Sequence, residues 1–436
     1  METEHFEALY PEETREKEIK KIIEYIQSGR SAQVVGLPGV GKGIVMGLLS
    51  YNKKVRLKHL KDLYKWYHFV YMDFSEAKKR NFFDVIKFIF ISLSYSLSER
   101  KLDEEQKTVN DLFKDALGFK DELILFQALK KAVDFLAIEK EMTIVFLFDR
   151  FDQYAPFIDE NFFLNLKILR NRAKYRFSCV FSSNRPLEEV LEPAVFSEFY
   201  EFMVGNTVYL DIYDKPGTDF RLSYIEKSTG RKTSENLKEE LIKLTGGHGK
   251  LTKVSYEILL SEKKLEEDLV SLLLKKTAVQ GALYEIWESL TPSEQKELNK
   301  NSDTDEKSYL FLSGLLTKKS VSIPLFQAFL KTLKPEGEEK LEFIPDFNQI
   351  KQGDEDITEK LSPSEFKLLK FLILNRGRVC EKDEIIENVW KDSKTQEGVT
   401  DQALDQIVYR LRKKVEIDPN SPTNIQTIKG RGYKLS

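Results

Sequence analysis

Cysteine is nearly absent: Cys179 and Cys380 are the only two in 436 residues, far apart and without a Cys-x-x-Cys pair. With only four scattered histidines, this pattern argues against a zinc site or a disulfide framework and fits a reducing cytoplasm. No apolar stretch follows a basic start, so no secretory leader is expected. Long hydrophobic runs are missing too. The most apolar window, Asn81 to Leu97, is broken by Asp84, Lys87 and several serines, which predicts a buried helix and no membrane segment. An excess of one charge is also lacking, since 68 Lys/Arg face 71 Asp/Glu for a net charge of −3. That balance says nothing about nucleic acid. The distribution does: between Arg410 and Ser436, seven Lys/Arg stand against two Asp/Glu, a tail that a phosphate backbone would favour.

A chain of this length is too long for one ordinary core, and its 41% hydrophobic and 32% charged residues are those of a globular protein with several domains. Near the N-terminus, Gln33-Val34-Val35 reads as a strand running into Gly36-Leu37-Pro38-Gly39-Val40-Gly41-Lys42, and Ile44 to Leu49 continues as an apolar helix. Strand, glycine-rich loop and helix are the context of a phosphate-binding loop. Gly36, Gly39 and Gly41 would let successive backbone N–H groups turn toward a β-phosphate at the positive end of the helix, with Pro38 and Val40 completing the nucleotide-binding loop. Lys42 would reach the β- and γ-phosphates. The next position normally supplies a hydroxyl to Mg²⁺, but Gly43 stands there. ATP or ADP is thus the expected ligand, with metal-assisted hydrolysis in question.

Four further apolar runs, His68–Phe74, Thr143–Phe148, Phe177–Ser182 and Val208–Ile212, alternate with helical stretches such as Leu123–Ile138. Such alternation predicts an α/β fold with a mainly parallel sheet covered on both faces. The Thr143 run ends in Asp149, a carboxylate at the strand's C-terminal edge where a Mg²⁺ shell would form. Arg150 occupies the position where many ATPases carry a water-activating Glu, leaving Asp152 as the nearby carboxylate that could substitute. After the Phe177 run, Asn184 or Arg185 is the candidate to sense a γ-phosphate, and Pro186 ends the element.

Together these motifs resemble the STAND and archaeal-type ATPase branch of the AAA+ superfamily over roughly residues 6 to 275. The resemblance implies that the charged segment from Arg15 to Gly29 packs on adenine. It also implies that Leu244-Thr245-Gly246-Gly247-His248-Gly249, similar to the family's TGGHP turn, lets a helical lid sense nucleotide through His248. Gly249 stands where the family has Pro.

Leu290-Thr291-Pro292-Ser293-Glu294 and Leu361-Ser362-Pro363-Ser364-Glu365 are near-repeats, each a capping box opening a helix. The first resembles the start of the winged helix that follows the lid in STAND proteins. The second opens a segment with three expected helices, Leu361–Arg376, Lys382–Trp390 and Thr400–Val415, then a strand, a glycine turn and a strand from Asn424 to Leu435. This end closely resembles the OmpR/PhoB-type winged helix, which implies double-stranded DNA as partner. In its third helix Leu404, Val408, Leu411 and Val415 share one stripe, leaving Gln402, Gln406, Tyr409 and Lys413 opposite. Gln can bond adenine in the major groove, Arg410 or Arg412 can meet phosphate or guanine, and Lys429 and Arg431 sit at the wing.

The expected order is a phosphate-loop domain over 1–213, a lid over 214–277, an inner winged helix over 278–334, a linker at 335–340 and the terminal winged helix over 341–436. The expected function is an ATP-binding transcriptional regulator whose nucleotide state controls DNA binding, with nucleotide-dependent self-association left open. A DNA-associated or defence ATPase, and a nucleotide-locked scaffold, are the alternatives.

Overall fold

A computed structural model describes residues 5–158, 160–262, 268–300, 305–318, 320–333, 341–353, 355–390, 400–416, 419, 422–428 and 430–436. The expected linker and Lys429 lie outside the described residues. The chain divides into two compact units, Met1–Thr332 and Leu333–Ser436.

The first unit is built on five strands: β1 (Ala32–Val35), β2 (Tyr67–Asp73), β3 (Thr143–Asp149), β4 (Phe177–Ser183) and β5 (Thr207–Tyr209). They pair in parallel in the order β2-β3-β4-β1-β5, so the expected α/β fold with a parallel sheet stands. β1 and β4 are fully buried along their length, as strands covered on both faces must be. The strand ends shift by a residue or two from expectation, and the last one stops at Tyr209.

The order matters for the site. β4 lies between β3 and β1, so the residue after β4 sits beside both the phosphate loop after β1 and the acid ending β3. Ligands gather at the C-terminal ends of such strands. One face of the sheet is sealed by an aromatic cluster in which Phe74, Phe148, Phe151, Phe162, Phe163 and Phe181 pack mostly edge-to-face or tilted, with Phe148 and Phe151 stacked. The Asn81–Leu97 window forms a helix, Phe82–Glu99, whose Val85, Ile86, Ile89, Phe90 and Leu93 are buried.

Beyond β5 the unit is helical among the described residues. Helices Lys215–Thr229, Glu235–Leu244 and Gly249–Ser261 occupy the segment expected as a lid, followed by Thr277–Glu288, Pro292–Lys300, Tyr309–Leu312 and Pro324–Leu330. A single antiparallel bridge, Leu316 to Val321, is the strand-like pairing of the last stretch.

The second unit begins with an antiparallel sheet of β6 (Leu341–Ile344), β7 (Gln349–Gln352) and β8 (Glu355–Asp356). Helices Pro363–Leu374, Lys382–Val389 and Asp401–Val415 follow, with β9 (Val379–Glu381) between the first two. A closing hairpin of β10 (Ile425–Ile428) and β11 (Gly432–Leu435) pairs onto β9. Leu368, Leu369, Leu372, Ile385, Leu404, Val408 and Leu411 share one core, confirming the stripe read on the third helix.

Candidate functional site

The phosphate loop turns where its glycines allow. Gly39 and Gly41 have φ of +78° and +112°, a region side chains with a Cβ avoid. The Lys42–Tyr51 helix starts without a side-chain cap, so its first N–H groups are left for an anion. Lys42 Nζ donates to the carbonyls of Gly36 and Leu37 at 2.7 and 3.0 Å and to Asn184 Oδ1 at 2.8 Å. Asn184 in turn donates through Nδ2 to Asp152 Oδ2 at 2.6 Å. Burial pulls the Lys42 ammonium down to about 8, against the nearby Asp152 and Asp149. Burial also raises the Asp152 carboxyl, with Lys42 opposing it. The sequence-derived residues Lys42, Asn184 and Asp152 therefore form one connected chain of hydrogen bonds, the geometry a γ-phosphate would enter.

Asp149 is committed elsewhere. Its Oδ2 accepts from the Tyr71 hydroxyl at 2.9 Å, and its Oδ1 accepts from Ser182 Oγ and from the Arg150 N–H at 3.0 Å. A Cβ on Gly43 would lie 3.0 Å from that Oδ2. The carboxylate thus fills the space beside the position that normally brings a hydroxyl. The residues present fit a nucleotide's phosphates, while for Mg²⁺ the usual hydroxyl is missing at Gly43 and both Asp149 oxygens already accept hydrogen bonds. Arg150 pairs with Asp73 at 3.0 Å and contributes no base.

Two expected nucleotide contacts take other roles. Arg15 is 4% exposed, and its guanidinium donates to the carbonyls of Asp211 and Val40 at 2.5 and 2.6 Å and pairs with Glu18. It braces the backbone of the phosphate loop, while its side chain still lines a cavity of about 240 Å³ with Tyr10, Thr14, Ile44 and Arg221. Thr14 Oγ1 is buried there with no partner among the described residues, a hydrogen-bonding group suited to a base or ribose. Sequence reasoning missed Tyr10 and Thr14, because nothing in their spacing separates them from an ordinary loop.

Arg185 does not face the phosphate site. It grips Glu294 with both terminal nitrogens, reaches the Ser289 carbonyl at 3.1 Å, and lies 3.8 Å above the Tyr309 ring. A guanidinium so paired is spent on a bidentate carboxylate, and of the two candidates Asn184 is the one that touches Lys42. Tyr309 donates its hydroxyl to the Asn184 carbonyl at 2.7 Å.

His248 is fully buried and caps the Gly249–Ser261 helix. Nδ1 accepts the Leu251 N–H at 3.3 Å, which leaves Nε2 to donate to the Pro38 carbonyl at 2.9 Å. Burial lowers its imidazolium to about 4, so the ring is neutral near pH 7. The Lys250 N–H also donates to the Gly39 carbonyl at 3.0 Å, and a Cβ on Gly39 would stand 2.7 Å from that of Lys250. The start of the Gly249–Ser261 helix is therefore bonded directly to the phosphate loop's backbone.

In the second unit, Gln402, Gln406, Tyr409, Arg410 and Lys413 are exposed along one side of the Asp401–Val415 helix. Arg412 is a correction: its Nε and Nη2 donate to the Ile425 carbonyl at 3.0 and 2.6 Å and Nη2 to Thr427 Oγ1 at 2.7 Å, fastening the helix to β10. Asp405 pairs with Lys382 at 2.7 Å and accepts from the Tyr433 hydroxyl at 2.5 Å. Arg431 is 62% exposed on the wing, with Glu381 3.9 Å away. Residues 356–435 match the family described as transcriptional regulatory protein, C terminal. They form a winged helix of that family.

This transcriptional-regulator domain is 33% identical over 98 residues to protein PetR of Rhodobacter capsulatus, covering 22% of this chain and 40% of PetR. It is 41% identical over 78 residues to the sensory transduction protein RegX3 of Mycobacterium tuberculosis, covering 18% and 33%. The chain thus spans about a third to two-fifths of the length of these curated relatives. A Walker-type ATPase of Pyrococcus abyssi aligns over 97% of this chain and 92% of its own at 13% identity, with a TM-score of 0.38. Among the described residues no helix is long and apolar enough to cross a membrane.

Proposed function

We propose that this chain is a nucleotide-binding regulator that reads double-stranded DNA through its C-terminal winged helix, with nucleotide state setting that activity. One observation carries the switch. Asn184 touches Lys42 through its side chain and Tyr309 through its carbonyl, and the next residue, Arg185, holds Glu294. A γ-phosphate that drew Lys42 away from Asn184 would perturb the segment gripping the inner helices. Those helices, over 278–334, are the proposed inner winged helix of a STAND-like arrangement in the cytoplasm.

The exposed Gln402, Gln406, Tyr409, Arg410 and Lys413 supply groove and phosphate contacts, with Arg431 at the minor groove. A second reading shares the same site: a nucleotide-locked form with slow turnover. It is favoured by Gly43 and by the engagement of Asp149 with Tyr71 and Ser182. Asp152, the remaining carboxylate of the site, would act as base only after releasing Asn184.

Binding of the full-length protein to genomic fragments, its own promoter included, measured without nucleotide and with ADP or ATP, tests the proposal. Sequence-specific binding that changes with nucleotide is the expected result. Specific binding indifferent to nucleotide refutes the switch. The absence of specific binding in every state moves the assignment to a DNA-associated ATPase.

A further inference from the structure

A second cavity, of about 600 Å³, opens beside β2 and the Phe82–Glu99 helix and is separate from the residues placed around the nucleotide. Its size is ordinary for a small-molecule site. Its lining includes Arg56, Arg100, Tyr51, Tyr71 and Tyr95. Arg56 is 9% exposed and donates to the carbonyls of Leu49 and Ser50, while its Nε is buried without a partner. Arg100 donates to the Tyr67 carbonyl at 2.6 Å. Neither guanidinium has a carboxylate partner among the described ion pairs. Glu99, the carboxylate lining the cavity, is held by His5 at 2.6 Å.

Glu99 acts on both cations from a distance, but neither makes a direct ion pair with it among the described residues. Burial drives Arg56 down to about 9, the like charge of Arg100 pushes it the same way, and Tyr64 and Glu99 offset part of this. Behind them lies His68, buried, with Nε2 bonded to Ser96 Oγ and Nδ1 unpartnered. Buried charges ordinarily find a direct partner, and among the described residues the hydrogen-bond acceptors of these two guanidiniums are backbone carbonyls.

We propose that this cavity binds a small organic anion, bearing a carboxylate or phosphate, through Arg56 and Arg100. The N–H donors the two guanidiniums have left bind the charged group, and the tyrosines cover the body of the molecule. The site would also report to the nucleotide centre, because the Tyr71 hydroxyl that lines it is the donor to Asp149. Such a ligand would be an input signal distinct from ATP.

The test is the thermal unfolding of the full-length protein with phosphate or citrate against chloride at equal ionic strength. Saturating ADP, and separately Lys42→Ala, take the phosphate loop out of play. A midpoint rise of about 2–4 °C is expected under both conditions. Phosphate or citrate as the effective probe names the preferred group. The rise should vanish in Arg100→Gln and in Ser98→Trp, an exposed cavity-lining position whose ring would block the mouth. If Arg100→Gln does not fold, Ser98→Trp decides alone. No rise with either anion, a rise abolished by ADP or Lys42→Ala, or a rise that survives Ser98→Trp overturns the proposal.

Discussion

Replacing His248 with Ala should unfasten the lid from the phosphate loop, and the structure sets the size of the effect. The substitution removes the helix cap on the Leu251 N–H and the donor to the Pro38 carbonyl, in a position with no exposure. Losing the cap costs about 1 kcal/mol, and stranding a buried carbonyl adds about 1–3 kcal/mol. The lid should then open ~30–1,000 times more often, since each ~1.4 kcal/mol is tenfold. Hydrogen exchange of the Gly249–Ser261 amides reads this directly.

His248→Asn keeps the cap and loses only the Pro38 bond, so its exchange should fall between the two. pH supplies an independent axis. The folded imidazole titrates near 4, below its ordinary value of 6.5. The open form therefore takes up protons that the closed form refuses. Closure is fully stable above about pH 6.5 and weakens as pH falls toward 4, by about 3 kcal/mol in all. After correction for intrinsic exchange, protection of the wild-type lid should drop between pH 7 and pH 5, and that of His248→Asn should stay level. An equal drop in His248→Asn, or an alanine variant with unchanged protection, would refute the latch.

Lys42→Ala should abolish nucleotide binding, measured by calorimetry, and unchanged ADP affinity would remove the phosphate-loop assignment. In the wild type the free ammonium titrates near 8 while bound phosphate holds it charged, so affinity should fall about tenfold per unit as pH rises beyond 8. Gly43→Ser alone should leave ADP affinity independent of Mg²⁺, because Asp149 stays bonded to Tyr71. Adding Tyr71→Phe should introduce a Mg²⁺ dependence, read by the same titration with and without the metal. Arg431→Ala should lower the slope of log affinity against log salt by about one contact on DNA, whereas Arg412→Ala should instead lower the second unit's melting temperature through loss of about 1.5–3 kcal/mol of charged hydrogen bonding. An Arg412→Ala protein that melts normally would return that residue to the DNA surface.

The parallel sheet and the phosphate loop were legible because both are local: apolar runs bounded by turns, and glycines spaced to bend a backbone around an anion. The two capping boxes were also readable, and both close as expected, at Thr291–Glu294 and at Ser362–Glu365. What escaped the sequence was the partner of each long cation. Arg185 and Arg412 stand in positions where an anion is plausible, yet Glu294 lies 109 residues away and the Ile425 carbonyl 13 away. A guanidinium reaches whatever acceptor tertiary packing delivers, and periodicity carries no information about that. Tyr71 as the donor to Asp149 was hidden for the same reason, since only strand pairing brings β2 beside β3.

The bond from Arg412 to β10 has a further consequence. Because one guanidinium clamps the Asp401–Val415 helix to the hairpin's backbone, the two elements proposed to face DNA would form a calliper with a locked jaw. A calliper measures the duplex as well as touching it. Two operators with the same contacted bases but different stiffness or minor-groove width between them would then be told apart, because the DNA rather than the protein must yield.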